Sequence, residues 1–562
     1  MIFSILAYGY ILFITYCWGY LFFWLFSWHR TPHSDDFFDK VILGLIAIST
    51  VGAYFSIFFR INLEFQIFIF TSAFLIFVFL KPFKLPQKGS FYEIKNKNFA
   101  LNILLSIVLL IIINATTLLP ANPDTGIYHA QAIRWIETYP VVPGLANFHI
   151  RFGYNSSWLL TNAIFSFAFL DIQSFHLMTG FLFLIAGVYF FSGIQNILRE
   201  NFGLSNLLKL GFLLGMVIFL LDQASSPGTD APTAIITWII ITKFAEEKSS
   251  EVEKIDRKTF VYVALIVYSI SLKLSSLPII LLFIPLLDPF FRKRDWKNVT
   301  IILFFALVLY LPHVIRSLII SGYPIFPGTT IDLIKVDWRL PETVVIKEPR
   351  LIHWFSSSPN SSLARFQSLS TAVWLSEWIA DLIPRHKALL LALLSLPILM
   401  TMMLIFKSFR KFIRERKDIV YLCLVSEAGA VFWFVSAPAI RYGYGFTIGA
   451  VVLLGSILLK FFIENISFFK KAIRFLALPV SLTIVLMYSQ FSWQFNTIKE
   501  RFFFQADYPR WPTAPCEFKN FTTLCAQEYN SCWYDPFPCT VNGNSQVELR
   551  GKDYRDGFRY TQ

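Results

Sequence analysis

The predominantly apolar run Leu101–Leu119, closed by Pro120-Ala121-Asn122-Pro123-Asp124-Thr125-Gly126-Ile127-Tyr128-His129, decides how this chain is to be read. The run matches the roughly 20 residues a helix needs to cross a bilayer. The residues just beyond it set one carboxylate and one imidazole where a membrane helix gives way to an aqueous loop. Behind them, Ala130–Glu137 places Ile133 and Ile136 at helical spacing, with Tyr128 or Ala132 on the same face. The expectation is an amphipathic helix at the membrane surface, with Asp124 at its start. Aspartate at such a position also suits an N-cap.

The rest of the chain repeats the membrane theme. Of 562 residues, 56% are hydrophobic and 15% charged, above the about 45–50% apolar content of soluble domains. Apolar runs of spanning length recur at 2–27, 41–59, 66–81, 100–119, 175–194, 209–222, 231–245, 259–271, 275–288, 299–318, 387–406, 419–436, 445–462 and 473–490. The fold class expected is therefore an all-α polytopic membrane protein of about fourteen spans. The first run has neither a basic leader nor a small-residue cleavage site, so it reads as a retained helix. The net charge of +13 sits in short loops between spans. That pattern fits cytoplasmic retention of positive charge and excludes a nucleic-acid partner.

Those basic loops order the topology. Lys81, Lys84, Lys88, Lys95 and Lys97 form one; Arg292, Lys293, Arg294 and Lys297 a second; Lys407, Arg410, Lys411, Arg414, Arg416 and Lys417 a third; Lys470, Lys471 and Arg474 a fourth. All four fall inside only if Trp158–Leu170 is juxtamembrane or re-entrant. Both termini and the segments 120–174, 319–386 and 491–562 then lie outside. The domain plan is 1–99 as accessory spans, 100–318 as the core, 319–386 as an outer loop carrying Trp374 and Trp378, 387–490 as C-terminal spans and 491–562 as a tail. Cys516, Cys525, Cys532 and Cys539 cluster in that tail without a CxxC pair, so two disulfides are expected and zinc is not.

Ionisable residues in or beside spans point to function. On the outer side these are Asp124 and His129; Asp230 in the turn Gly228-Thr229-Asp230-Ala231-Pro232; Lys273, which interrupts two apolar half-segments; Arg316 at a span end; and Arg441 beside Tyr442. His149 and Arg151 stand in the first outer loop. Two carboxylates facing several cations suit an anionic lipid phosphate and a hydroxyl awaiting a base. Asp124, His129 and Asp230 could share a divalent ion, although no metal signature stands out.

Asp124 with its juxtamembrane helices, Asp230-Ala231-Pro232, Lys273-Leu274-Ser275-Ser276 and Arg316 followed by Ser321-Gly322-Tyr323-Pro324 together resemble the GT-C superfamily of polytopic glycosyltransferases, such as aminoarabinose transferases and protein O-mannosyltransferases. The similarity runs from about 100 to 490. The chain departs from that pattern in carrying Asp124-Thr125 where an acidic pair is common, and three spans before the core. The segment Gly144–Ser157 is similar instead to a group of uncharacterised bacterial membrane proteins. The resemblance implies a GT-C-like bundle in a bacterial cytoplasmic membrane, with its site facing the exterior. There a sugar would pass from a polyprenyl-phosphate donor to a lipid, glycan or protein acceptor. Asp124 would serve as the base, and His129, His149, Arg151, Asp230, Lys273, Arg316, Arg441 and Tyr442 would bind substrate. A polysaccharide polymerase or ligase, and a transporter or flippase of lipid-linked glycans, are the alternatives.

Overall fold

The computed structural model describes residues 1–25, 37–82, 99–246, 255–332, 334–358, 361–477, 479 and 497–561. Among these, ten helices are long and apolar enough to cross a membrane: Ile2–Leu25, Phe37–Ser56, Leu63–Leu80, Met178–Leu198, Leu204–Gln223, Leu274–Arg292, Trp296–Ser321, Pro384–Met403, Lys417–Ser436 and Ile440–Asn465. Of the other four expected spans, three fall on helices outside those ten, Leu101–Thr116, Asp230–Glu246 and Arg257–Leu272. The run at 473–490 falls largely outside the described residues, as do Lys84, Lys88, Lys95 and Lys97.

The helices differ sharply in burial. Asp230–Glu246 is enclosed on nearly every side, and it carries Ile235, Ile236, Trp238, Ile239, Ile240 and Ile241 into the core. The opposite case is Pro384–Met403, whose Leu391, Leu394 and Ile398 remain uncovered. A helix apolar all round is buried in protein or bathed in lipid, and both kinds occur here. Ile2–Leu25 and Phe37–Ser56 pack closely because Gly19 faces the carbonyl of Lys40 and Gly44 that of Thr15, where any Cβ would collide.

The segment 120–174 is a built structure. A π turn at Thr125–His129 runs into the helix Ala130–Thr138, and a 3₁₀ turn at Ile150–Tyr154 leads to Ser157–Ile164. The last has 8 residues, too few to cross a bilayer. Its Trp158 is fully buried and donates from Nε1 to Thr179 Oγ1 at 3.2 Å.

The tail departs from an all-α reading. Thr513–Glu517, Thr522–Ala526 and Cys539–Thr540 form one small sheet, and Val547–Leu549 pairs with Phe558–Tyr560 in another. Cys516–Cys525 and Cys532–Cys539 are disulfide-bonded, which compensates for a core too small to hold alone. The second bridge closes a loop that grips the helix Ala130–Thr138. Gln131 Nε2 donates to the carbonyls of Trp533, Tyr534 and Pro536 at 3.0, 3.1 and 2.8 Å, while its Oε1 accepts from the Cys539 amide at 3.1 Å. Arg134 pairs with Asp535. The Cys532 and Trp533 amides both donate to the Gly126 carbonyl.

Glu137 sits at the same interface, 3% exposed. It accepts from Tyr534 Oη at 2.7 Å and Ser174 Oγ at 3.1 Å, and burial lifts its carboxyl from 4.5 to about 7. Between those values the folded chain holds a proton that the unfolded chain has released, so stability falls as pH climbs through that window and levels off above about 7. The span is worth about 3 kcal/mol. Glu137→Gln should remove most of that slope in denaturant unfolding between pH 4.5 and 7.5; an unchanged slope would contradict this placement of the proton.

Candidate active site

The turn that opens the segment 120–174 is organised by Asn122. Its Oδ1 accepts from the Asp124 amide at 3.0 Å and from Arg441 Nη1 at 2.8 Å. Asp124 enters the π turn with helical backbone angles and makes no side-chain cap bond, so the capping role open to it in sequence is not taken. Its carboxylate is turned instead toward two guanidiniums. Arg441 Nη2 reaches Oδ2 at 2.5 Å and Arg151 Nη1 reaches Oδ1 at 3.2 Å. Burial opposes ionisation of Asp124, but the Arg441 and Arg151 charges outweigh it and hold the carboxyl below its usual value.

The second carboxylate comes from another element. Asp230 lies in the first turn of Asp230–Glu246, where the helix dipole favours a negative charge. Its side chain is 3% exposed, and it pairs with Lys273 through Oδ1 and with Arg441 Nη1 through Oδ2 at 3.6 Å. Lys273 stands at the break between the helix Arg257–Leu272 and the 3₁₀ segment Leu274–Leu282. The anionic partner its position demanded is thus supplied by the protein. Its ammonium also lies 3.8 Å from the centre of the Tyr442 ring, and Tyr442 Oη accepts from Arg441 Nη2 at 3.3 Å.

The assembled set is Asp124, Asp230, Arg151, Lys273, Arg441 and Tyr442. Three cations against two carboxylates leave one positive charge in excess. Below Lys273 a cleft runs between helices, lined by Asp230, Thr233, Thr237, Ser275, Ser276, Tyr442 and Phe446. On the other flank, the ring centre of Phe355 lies 5.7 Å from the Arg151 guanidinium, and Tyr154 Oη donates to Glu348. Both partners belong to the helix Lys347–Ser357 of the 319–386 segment.

His129 is beside this set without bonding to it. It is 1% exposed, its ring meets Tyr128 at 4.3 Å, and neither ring nitrogen has a hydrogen-bond partner among the described residues. Burial pushes its pKa down to about 4 in spite of Asp124 and Asp230, so the imidazole is neutral. Two other candidate residues are placed away from the carboxylates. His149 accepts the Arg151 amide at Nδ1, 3.3 Å away, as the cap of the 3₁₀ turn. Burial and Arg151 depress its pKa to about 3, which makes it a neutral support for Arg151. Arg316 lies apart from the cluster, bonded to Asn155 Oδ1 and Ser56 Oγ at 3.1 and 2.5 Å. Nor do Asp124, His129 and Asp230 form a shared ligand set: no group of three or more His, Cys, Asp or Glu among the described residues is placed to hold a metal ion.

Sequence reasoning missed Asn122, Tyr128, Glu348 and Phe355. Asn122-Pro123-Asp124 is a turn signature in which the asparagine side chain bonds two residues ahead, so the first was within reach. The last two come from a helix more than 200 residues away, and no local pattern announces them.

Residues 1–448 match the model of a family described as Domain of unknown function (DUF8201), and the protein belongs to that family. The match covers every residue of the cluster and ends before the disulfide-stapled tail. No curated protein and no solved structure matches the chain.

Arg441 holds two buried carboxylates from separate elements, so its loss leaves both short of a counter-charge. Arg441→Gln should lower unfolding stability by about 3 kcal/mol, the low end of the range for breaking a buried pair because the side chains are partly accessible. The double variant Asp124→Asn with Arg441→Gln should lose less than the two single losses combined. Strict additivity in that cycle would remove the coupling argued here.

Proposed function

We propose that this protein is a polytopic glycosyltransferase of GT-C type, built on about fourteen spans. It transfers a sugar from a polyprenyl-phosphate donor to an acceptor hydroxyl on the extracytoplasmic face of a bacterial cytoplasmic membrane. The observation that carries the reading is Arg441 bridging Asp124 and Asp230, with Lys273 and Arg151 on their outer oxygens. A site where three cations meet two carboxylates suits an anionic leaving group and a hydroxyl nucleophile together.

The orientation is inferred from the same helices. Arg441 begins Ile440–Asn465, whose far end is followed by Lys470, Lys471 and Arg474; Arg316 closes Trp296–Ser321, whose other end carries Lys297 after Arg292, Lys293 and Arg294. Basic loops therefore gather at helix ends opposite the cluster, which favours the cluster being outside.

The donor phosphodiester meets Lys273 and Arg441, which exchange part of their bonding to Asp230 and Asp124 for the phosphate oxygens. As the bond between the anomeric carbon and the phosphate oxygen breaks, the phosphate gains a second negative charge, and these cations stabilise it. The acceptor oxygen attacks the opposite face of that carbon and its proton passes to Asp124, so configuration inverts. A carboxyl held below its ordinary value is a weak base. It suffices where the sugar carbon carries positive charge in the transition state and the hydroxyl loses its proton late. The leaving phosphate is an anion already and needs no strong acid.

The test uses the full chain in liposomes, with polyprenyl-phosphate-linked sugars extracted from bacterial membranes as the donor probe and release of polyprenyl phosphate as the readout. Asp124→Asn is expected to reduce release by about a thousandfold, while the protein remains in the membrane. Because Asp124 stays ionised below the ordinary carboxylate range, wild-type release should persist into mildly acidic buffer. Wild-type release by the Asn variant would overturn the assignment.

A further inference from the structure

The short helix Lys407–Arg414 lies between two spans, Pro384–Met403 and Lys417–Ser436, and its residues divide cleanly between two sides. Lys407, Arg410, Lys411 and Arg414 fall within an arc of about 100°, with Phe409, Phe412 and Ile413 on the arc opposite. The apolar side is taken up by the protein itself. Phe409 and Phe412 are buried, and their rings lie 5.0 and 5.5 Å from that of Phe461. Phe461 stands about 30 Å along Ile440–Asn465 from Arg441, so this helix packs at the end of the bundle away from the Asp124 cluster.

Both ends of the short helix are tied down. Arg410 Nη1 donates to the Leu404 and Ile405 carbonyls at 2.8 and 2.9 Å. Arg416 donates to the Phe412 carbonyl at 3.0 Å and to Glu464 at 3.2 Å. The basic side is left open. Lys407, Arg410, Lys411 and Arg414 are all exposed, and Lys407, Lys411 and Arg414 enter no ion pair among the described residues. The neighbouring carboxylates of Glu415 and Glu464 pair with Arg416 instead. Retention of positive charge on one side of a membrane requires the charges alone, in any conformation. Here they are folded onto one face, and that face is held in place.

An apolar stripe runs up to the same point. Leu391, Leu394, Ile398 and Met402 recur at helical spacing on Pro384–Met403, all exposed, and Ile405 continues the stripe just past the helix end at 74% exposure. Leu391 to Met402 covers about 16 Å, close to one leaflet of a hydrocarbon core about 30 Å thick. We infer that the stripe and the basic helix form a docking surface for an anionic phospholipid. Its acyl chains lie along Leu391–Ile405 and its phosphate meets Lys407, Lys411 and Arg414. Charge decides the occupant. A neutral lipid would use the stripe and leave the cations unanswered. A second copy of the chain, packed about a two-fold axis along the membrane normal, would set these cations against their own counterparts. The surface shares no residue with the Asp124 cluster and does not depend on the transferase reading.

The full chain in phosphatidylcholine-containing micelles is titrated with phosphatidylglycerol, and the lipid retained on the protein is counted by native mass spectrometry. Parallel arms at matched ionic strength add millimolar inorganic phosphate or soluble polyglutamate as competitors. Saturable binding of phosphatidylglycerol that survives both competitors is expected. Lys411→Gln with Arg414→Gln should weaken it about twenty-five-fold, at about fivefold for each charge. The charge-preserving pair Lys411→Arg with Arg414→Lys should stay close to wild type. So should Lys470→Gln with Lys471→Gln, which removes the same charge from another basic segment. All four side chains are exposed, so these variants are expected to fold. Wild-type affinity in the Lys411 and Arg414 double variant, or an equal loss in the Lys470 and Lys471 pair, overturns the site. Displacement of the lipid by phosphate, or polyglutamate binding as tightly as the lipid, overturns the phospholipid as its occupant.

Discussion

The site depends on one side chain doing what two would normally do. Arg441 projects from the first turn of a long spanning helix and reaches Asn122, Asp124 and Asp230, residues from two other parts of the chain. The guanidinium fork suits this because its donors diverge in a plane; a lysine could satisfy one carboxylate and would leave the other short. Two carboxylates brought together without such a bridge would repel, and one would keep its proton. With the bridge, and with Lys273 and Arg151 on the outer oxygens, the favourable charges at Asp124 overcome the cost of burying it.

Holding that arrangement requires the segment 120–174 to be stiff, and its stiffness is borrowed. The helix Ala130–Thr138 is short and its own hydrogen bonds would not keep it folded in water. It is clamped from outside by the loop closed by Cys532–Cys539, through Gln131 and Arg134, and its start is pinned where two tail amides share the Gly126 carbonyl. A disulfide stabilises mainly by restricting the unfolded chain. The tail therefore adds order to the apolar contacts it makes with the loop, Ala130 against Tyr508 and Trp533 and Trp135 against Phe537, Tyr554 and Phe558.

Legibility in the sequence tracks the range of the interactions concerned. The spans read from hydropathy because transfer to lipid is a local property of about 20 residues, and the eight-residue helix at Ser157–Ile164 agrees with its exclusion from them. Asp124, Asp230, Lys273 and Arg441 stand out because a charge at a membrane boundary is conspicuous in any window. Which of them meet is not legible. Arg316 looks equivalent to Arg441 in sequence, and only the path of Ile150–Asn155 separates them. The small sheets of the tail escape as well, since strands of two to five residues held by cross-links carry little periodicity.

That separation also organises the half of the molecule that carries the cluster. Arg151 and Asn155 lie within one turn and a half of the same segment, yet one faces a carboxylate and the other a cation. His149 caps the segment, and the left-handed backbone of Asn155 ends it. Asparagine tolerates that conformation better than most residues, and its amide can serve Arg316 and the His313 carbonyl at once. A residue such as leucine there would be strained and would leave Arg316 with a single bond. The wall between the two cationic centres is thus fixed by one capped turn, and the electrostatic character of each side depends on which end of it the chain presents.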